Sequence, residues 1–177
     1  MLREPEVKRA AILSLKLGIG ERYLYKSVEK VKGNHGVDLP LWKNSYEHGL
    51  ILVGMVECKT AIDPWRGNAY NSPYASIYKG LGQLMFHGRA AHADLPLALF
   101  VGASGYSVSD CKPILSRAID NNGRSVEATI RETLTNLGID LIVCARVGEQ
   151  YVLNGDQAFL NRVEAYLKCE RDRRIHS

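Results

Sequence analysis

The chain has 177 residues, of which 46% are hydrophobic and 24% charged, which is typical of a folded domain with a proper core and argues against disorder. The formal net charge of +4 is compatible with nucleic-acid binding but is weak evidence for it. No apolar run is long enough to cross a membrane, and the charged segment after Met1 does not resemble a secretory leader. We therefore predict a single domain over residues 1–177, with no membrane contact.

The four cysteines lie far apart and form no CxxC pair, so neither a zinc site nor a disulfide framework is predicted. They are Cys58, Cys111, Cys144 and Cys169. This usage is typical of reduced core thiols, and it predicts a cytoplasmic protein in a reducing compartment.

The first part of the chain predicts a helix followed by strands. Residues 4–17 carry apolar side chains at helical spacing, with acidic residues in the first turn and Gly18 available to end the helix. Residues 21–33 alternate like a strand, although a helix is also compatible. Residues 36–42 and 50–60 predict two strands of a hairpin around a polar segment that contains glycine.

The rest of the chain predicts helices that alternate with buried strands. In order, the predicted elements are a loop (63–73), a helix (74–91), a strand (95–103), a loop with a short helix (107–125), a helix (126–137) closed by Gly138, a strand (139–148), a strand or turn (149–155) and a C-terminal helix (156–174). Together with the first part, this order predicts an α/β protein with a central mixed sheet flanked by helices.

Charged side chains follow the apolar strand 50–60 at its end. Glu57 and Lys59 are two residues apart and share one face of the strand. The apolar Ile51, Val53 and Met55 are expected on the same face. A hairpin centred between residues 47 and 48 would place Asp38 opposite Glu57, within about 5 Å. The sequence therefore predicts a cluster of two carboxylates and one ammonium group.

Two adjacent carboxylates repel each other, so a cation has to compensate them. Lys59 supplies one positive charge, and Mg²⁺ or Mn²⁺, which prefer carboxylate oxygens, would supply more. Such a metal lowers the pKa of a bound water, and a lysine can orient that water for attack on a phosphodiester. The alternative is a solvated surface pair, because Glu and Lys are common enough to meet at this spacing by chance.

The stretch GVDLPLW, followed nineteen residues later by MVECKT, resembles the motif of the PD-(D/E)XK nuclease superfamily, which includes restriction-endonuclease-like and Holliday junction resolvase-like proteins. The predicted order of elements is similar to that family's αβββαβ core, and the likeness covers roughly residues 1–150. Pro40 departs from an ordinary inner strand, because it cannot donate a ladder hydrogen bond. A bulge at Pro40 would shift the pairing of Asp38 by one position.

The resemblance implies a role for several residues. Asp38, Glu57 and the backbone carbonyl of Cys58 would ligate Mg²⁺ or Mn²⁺, and Lys59 would position or activate the attacking water. Gln83 of the next helix would hold a ligand or phosphate. A glutamate of the first helix would join the site, for which we choose Glu6 over Glu4. His87, one helical turn after Gln83, is a possible accessory residue.

Three functions remain open at this point. The leading hypothesis is a magnesium-dependent endonuclease that cuts DNA as a homodimer, since two strands need two sites. The alternatives are an RNA nuclease and a catalytically inactive nuclease-fold module for nucleic-acid binding or assembly. Arg66, Lys79 and Arg89 could contact the nucleic acid, although scattered basic residues usually only solvate a surface.

Overall fold

The structure is a computed structural model, and it describes residues 3–19, 23–25, 36–45, 49–60, 73–88, 93–102, 123, 126–147 and 149–175. Most of two predicted segments lies outside the described residues, namely residues 63–72 and, apart from Gly123, residues 107–125. Arg66, Arg89 and Cys111 also lie outside them.

The described residues form helices and strands in nearly the predicted order. They are α1 (Glu4–Ile19), β1 (Tyr23–Tyr25), β2 (Leu39–Ser45), β3 (Gly49–Thr60), α2 (Pro73–Gln83) with a π-helical turn (Leu84–Gly88), β4 (Leu97–Gly102), α3 (Val126–Asn136), β5 (Ile139–Val147), β6 (Gln150–Asn154) and α4 (Asp156–Ile175). The structure settles residues 23–25 as a strand, and it replaces the end of the predicted helix 74–91 by the π-helical turn.

The six strands form one mixed sheet, in which each strand lies beside its neighbour in the sequence. β2 is antiparallel to both β1 and β3, the strands β3, β4 and β5 are parallel, and β6 is antiparallel to β5. Parallel neighbours need a crossover connection, and α2 and α3 lie in the connections from β3 to β4 and from β4 to β5. The predicted α/β fold with a mixed sheet and flanking helices is confirmed.

Two hydrophobic cores lie on the two faces of the sheet. On one face, α1 and α4 pack against β3 and β4 through side chains such as Val7, Phe159 and Phe100. On the other face, α2 and α3 pack through Ile77 and Leu134. β4 is buried on both faces along its whole length, which explains why its sequence is continuously apolar.

The pairing of β2 with β3 contains a bulge, but not where Pro40 suggested it. Leu39 pairs with Val56 and Leu41 with Gly54, whereas Trp42 pairs with Leu52, so Val53 is the extra residue. The pairing near Asp38 therefore keeps the predicted register, and only the part toward the hairpin turn is shifted.

The bulge corrects one prediction about β3. Ile51 and Val53 pack with the α1 side of the sheet, whereas Met55 packs with the α2 side. They therefore do not share one face as expected, because the extra residue reverses the alternation between Val53 and Met55.

Pro40 is accommodated although β2 is an inner strand. It pairs with Met55 of β3, but the described part of β1 begins its pairing with β2 only at Leu41. The missing N–H of Pro40 therefore leaves no gap in the described β1–β2 ladder.

Three of the four cysteines lie in described residues, and each is a free thiol. Cys58 and Cys144 are buried in the core, as predicted, whereas Cys169 is exposed on α4, so the prediction of a core position is wrong for it. Among the described residues, no helix is long and apolar enough to span a membrane.

Candidate functional site

The start of β2 and the end of β3 bring Asp38 and Glu57 together. The backbone N–H of Asp38 donates a hydrogen bond of 3.0 Å to Glu57 Oε2, and the backbone N–H of Cys58 donates one of 3.0 Å to Asp38 Oδ2. The backbone of Asp38 therefore holds the Glu57 carboxylate, and the backbone of Cys58, the residue after Glu57, holds the Asp38 carboxylate. The β2–β3 register pairs the next residues, Leu39 and Val56, and so brings both carboxylates to the same end of the strand pair.

Lys59 completes the cluster as an ion pair. Its Nζ donates to Glu57 Oε1, and the two side chains are 9% and 1% exposed. Taking an ammonium group and a carboxylate out of water costs several kcal/mol each, by order of magnitude, and only close pairing with further hydrogen bonds repays that cost. Such a buried pair is weak evidence for a stabilising role, which makes the pair a candidate for a functional one.

Burial raises the pKa of Glu57 above its ordinary value, because a buried carboxylate loses the solvation of its charge. The negative charge of Asp38 raises it further, and the hydrogen bond from Lys59 lowers it without offsetting the burial. Burial also raises the pKa of the Cys58 thiol well above its ordinary value, which keeps that thiol protonated and unreactive.

The raised pKa of Glu57 makes stability depend on pH in a definite direction. The folded protein binds this proton more tightly than the unfolded chain, so the contribution of Glu57 is largest below its ordinary pKa of 4.5 and falls as the pH rises through its raised pKa. We expect the free energy of unfolding of the wild type to fall relative to that of Glu57→Gln across this window. Urea unfolding in EDTA at a series of pH values measures this, and a difference independent of pH would contradict it.

Lys8 of α1 was not among the predicted residues, and it lies in the cluster. Its Nζ is 3.5 Å from Asp38 Oδ1, and the two side chains are 37% and 22% exposed. Lys8 follows the buried Val7 and precedes the buried Ala11 by about one turn, so it lies at the border of the apolar stripe of α1. That border position was the available signal for Lys8, whereas the family resemblance implies only a glutamate from the first helix.

Glu6 was predicted to be the residue of α1 that joins the metal site. In the structure, its side chain caps the N-terminus of α1. Its Oε2 accepts a hydrogen bond of 2.9 Å from the backbone N–H of Arg3, which satisfies a free donor of the first turn. Within the described ranges, no group of three or more His, Cys, Asp or Glu side chains is placed to hold a metal ion. A metal-binding role for Glu6 stays a prediction.

α2 supports Lys59 from the other side, through a glycine. A Cβ at Gly80 would lie 2.7 Å from Leu99 Cδ1 and 3.0 Å from Lys59 Cγ, so the helix lies directly against the lysine stem. Glycine at this position therefore allows α2 to lie close to the lysine, although glycine is an unfavourable residue inside a helix.

Replacing Gly80 with alanine is expected to destabilise the protein, although alanine is the better helix former. Overpacking against Leu99 and Lys59 costs roughly 1–3 kcal/mol, more than the gain of about 1 kcal/mol in helix propensity. The matched control is Gly82→Ala, because a Cβ there meets nothing within 4 Å. We expect urea unfolding to show a stabilised Gly82→Ala and a destabilised Gly80→Ala; equal stabilisation of both would contradict this contact.

Gln83 follows Gly80 by about one helical turn. Its side-chain Oε1 is buried and accepts no hydrogen bond from any described residue. A buried acceptor without a partner costs about 1–3 kcal/mol, and such an atom is available to a ligand. The predicted role of Gln83, to hold a ligand or phosphate, stays a prediction.

The remaining predicted residues are less closely tied to the cluster. His87 is half-buried in the π-helical turn, and its ring packs edge-on against Phe86, with centroids 5.2 Å apart. Lys79 is exposed on α2. Their predicted contributions, as an accessory residue and a nucleic-acid contact, stay predictions.

The donor set fits a hard divalent cation. Asp38 and Glu57 offer carboxylate oxygens that are held close together. Mg²⁺ accepts such oxygens and keeps several waters, so it does not need a cage made only of protein atoms. Lys8 and Lys59 balance the two carboxylates, so the cluster is also neutral without a cation.

Comparisons with known proteins assign no family to this chain. No protein-family model, no curated protein and no solved structure matches it. What the chain does must therefore be argued from the chemistry of its own residues.

Proposed function

We propose that this protein is a metal-dependent nuclease of the PD-(D/E)XK type, which hydrolyses phosphodiester bonds in DNA. The observation that carries the proposal is the cluster of Asp38, Glu57 and Lys59 at the end of β3, held by backbone hydrogen bonds and a buried ion pair. The helix, three-strand, helix, strand order of the elements around it is compatible with a restriction-endonuclease-like core.

Hydrolysis of a phosphodiester needs a deprotonated water and positive charge near an anionic phosphate. Asp38, Glu57, the backbone carbonyl of Cys58 and Gln83 are the groups that would hold Mg²⁺ or Mn²⁺. A bound divalent cation lowers the pKa of a coordinated water and offsets phosphate charge.

Lys59 supplies a fixed hydrogen-bond donor at its Nζ. Glu57 holds the ammonium group, and Gly80 and Leu99 flank the position of the stem. An ammonium group in a fixed place can hydrogen-bond the attacking water or a phosphate oxygen without first losing conformational freedom. A homodimer would supply the second site that duplex cutting needs.

One observation favours a second candidate, a non-catalytic module that binds nucleic acid or assembles with other proteins. All four carboxylate oxygens of Asp38 and Glu57 already have a partner, and the two lysines make the cluster neutral. Such a cluster is stable without metal and could be purely structural. An RNA nuclease would use the same chemistry as a DNA nuclease, so RNA belongs among the tested substrates.

The deciding experiment is cleavage of labelled single-stranded, duplex, flap and four-way-junction DNA and of an RNA hairpin, each with Mg²⁺, Mn²⁺ or EDTA. We expect cleavage of DNA that EDTA abolishes, with Glu57→Gln as the control for contaminating nucleases. Cleavage of RNA alone would reassign the substrate. Folded protein that cleaves nothing, and whose Tm is unchanged by either metal, would favour the non-catalytic module.

A further inference from the structure

The two lysines of the cluster differ in their freedom to move. Lys59 is buried, with its stem against the backbone of α2 at Gly80. Lys8 is 37% exposed at its side chain, and it reaches Asp38 Oδ1 from α1 at 3.5 Å. A long, half-exposed lysine can turn into solvent at small cost, whereas Lys59 cannot leave without repacking the face of the sheet beneath α2.

A divalent cation between Asp38 and Glu57 would compete with these ammonium groups. Asp38 Oδ2 is already occupied by the backbone N–H of Cys58, so Oδ1, the atom that faces Lys8, is the oxygen of Asp38 best placed for a metal. A cation at Oδ1 would lie within a few ångströms of the Lys8 ammonium group, and two like charges at that distance repel strongly in a partly buried site.

We propose that Lys8 is an internal counter-ion that holds Asp38 in the metal-free protein and has to leave Oδ1 before a divalent cation binds. Lys8 thereby sets the metal affinity of the site, while Lys59 stays in place. This inference rests on the proposed function, because it concerns the same metal site.

The test compares Lys8→Met with Arg9→Met. Methionine keeps an apolar stem at position 8 and removes the charge. Arg9 is the next residue on α1 and is exposed, so its replacement removes the same charge from the same helix as a matched control. Isothermal titration of each protein with Mn²⁺ gives the Kd without any nucleic acid, and melting in EDTA confirms that each variant is folded.

We expect Lys8→Met to bind Mn²⁺ about fivefold more tightly than the wild type, the change that follows when one exposed ion pair no longer competes. Arg9→Met is expected to bind like the wild type. Binding by Lys8→Met where the wild type shows none would also support the proposal.

Two results would overturn the inference in distinguishable ways. If all three proteins bind Mn²⁺ with the same Kd, or if Lys8→Met binds more weakly, Lys8 does not compete with the metal and the nuclease proposal is unaffected. If none of the folded proteins binds Mn²⁺, the metal site itself is absent, and the proposed function fails together with the inference.

Discussion

In single-turnover assays, the Glu57→Gln variant is expected to cleave DNA about 10³ times more slowly than the wild type, the order of magnitude lost when one preorganised electrostatic group is removed from a site. Glutamine keeps the shape of the side chain and an oxygen that can accept the Asp38 N–H. It removes the negative charge that a cation needs and that holds the Lys59 ammonium group. The effect is therefore expected in the chemical step rather than in DNA binding.

The matched control is Glu149→Gln, because Glu149 is an exposed glutamate in the turn between β5 and β6. It is expected to cleave DNA at the wild-type rate. If Glu57→Gln cleaves DNA at a rate within about threefold of the wild type while the control is normal, Glu57 has no part in the chemistry. A threefold change in rate is less than the tenfold change that corresponds to about 1.4 kcal/mol of activation free energy.

Replacing Lys59 with methionine is expected to lower the free energy of unfolding by about 3 kcal/mol, since removing one partner leaves a buried charge without compensation. The double variant Glu57→Gln/Lys59→Met buries no charge and is expected to recover most of this loss. The loss should also be smaller at acid pH, where Glu57 is protonated and neutral. Urea unfolding of the wild type, both single variants and the double variant gives the coupling energy.

Lys79→Met controls for the loss of a lysine from an exposed position and is expected to change stability by less than about 0.5 kcal/mol. If the two single changes at Glu57 and Lys59 simply add in the double variant, the two side chains do not form the buried pair. The carboxylate would then have another partner, and the interpretation of Lys59 as a fixed donor would be wrong.

The sequence was sufficient to predict the meeting of Asp38 and Glu57, because a hairpin relates its strands by simple counting. The sequence was not sufficient to predict the bulge at Val53. β3 is apolar on both faces before Glu57, so alternation could not show which residue was extra. The neighbouring Gly54 was the local sign of a bulge, because a glycine inside a strand often marks a bulge or a close approach of another chain segment. In the structure, a Cβ at Gly54 would lie 3.3 Å from both Phe159 and the Pro96 carbonyl.

The contributions of the helices to the site could not be derived from spacing along the chain. Lys8 reaches Asp38 only because α1 packs across the sheet with Val7 and Ala11 buried, and that packing is a tertiary arrangement. Gly80 reduces helix propensity, and only the docked position of α2 shows that the lysine stem leaves no room for a larger residue.

The route by which the site assembles follows from its topology. Asp38 and Glu57 are 19 residues apart within one antiparallel hairpin, and contacts of such short range form quickly. The support for Lys59 requires α2 and the parallel strand β4, which can pair only after a crossover has closed. We therefore expect the acidic part of the site to form early in folding, while the ammonium group is fixed late. Amide protection in pulsed hydrogen exchange should consequently appear in β2 and β3 before it appears in β4.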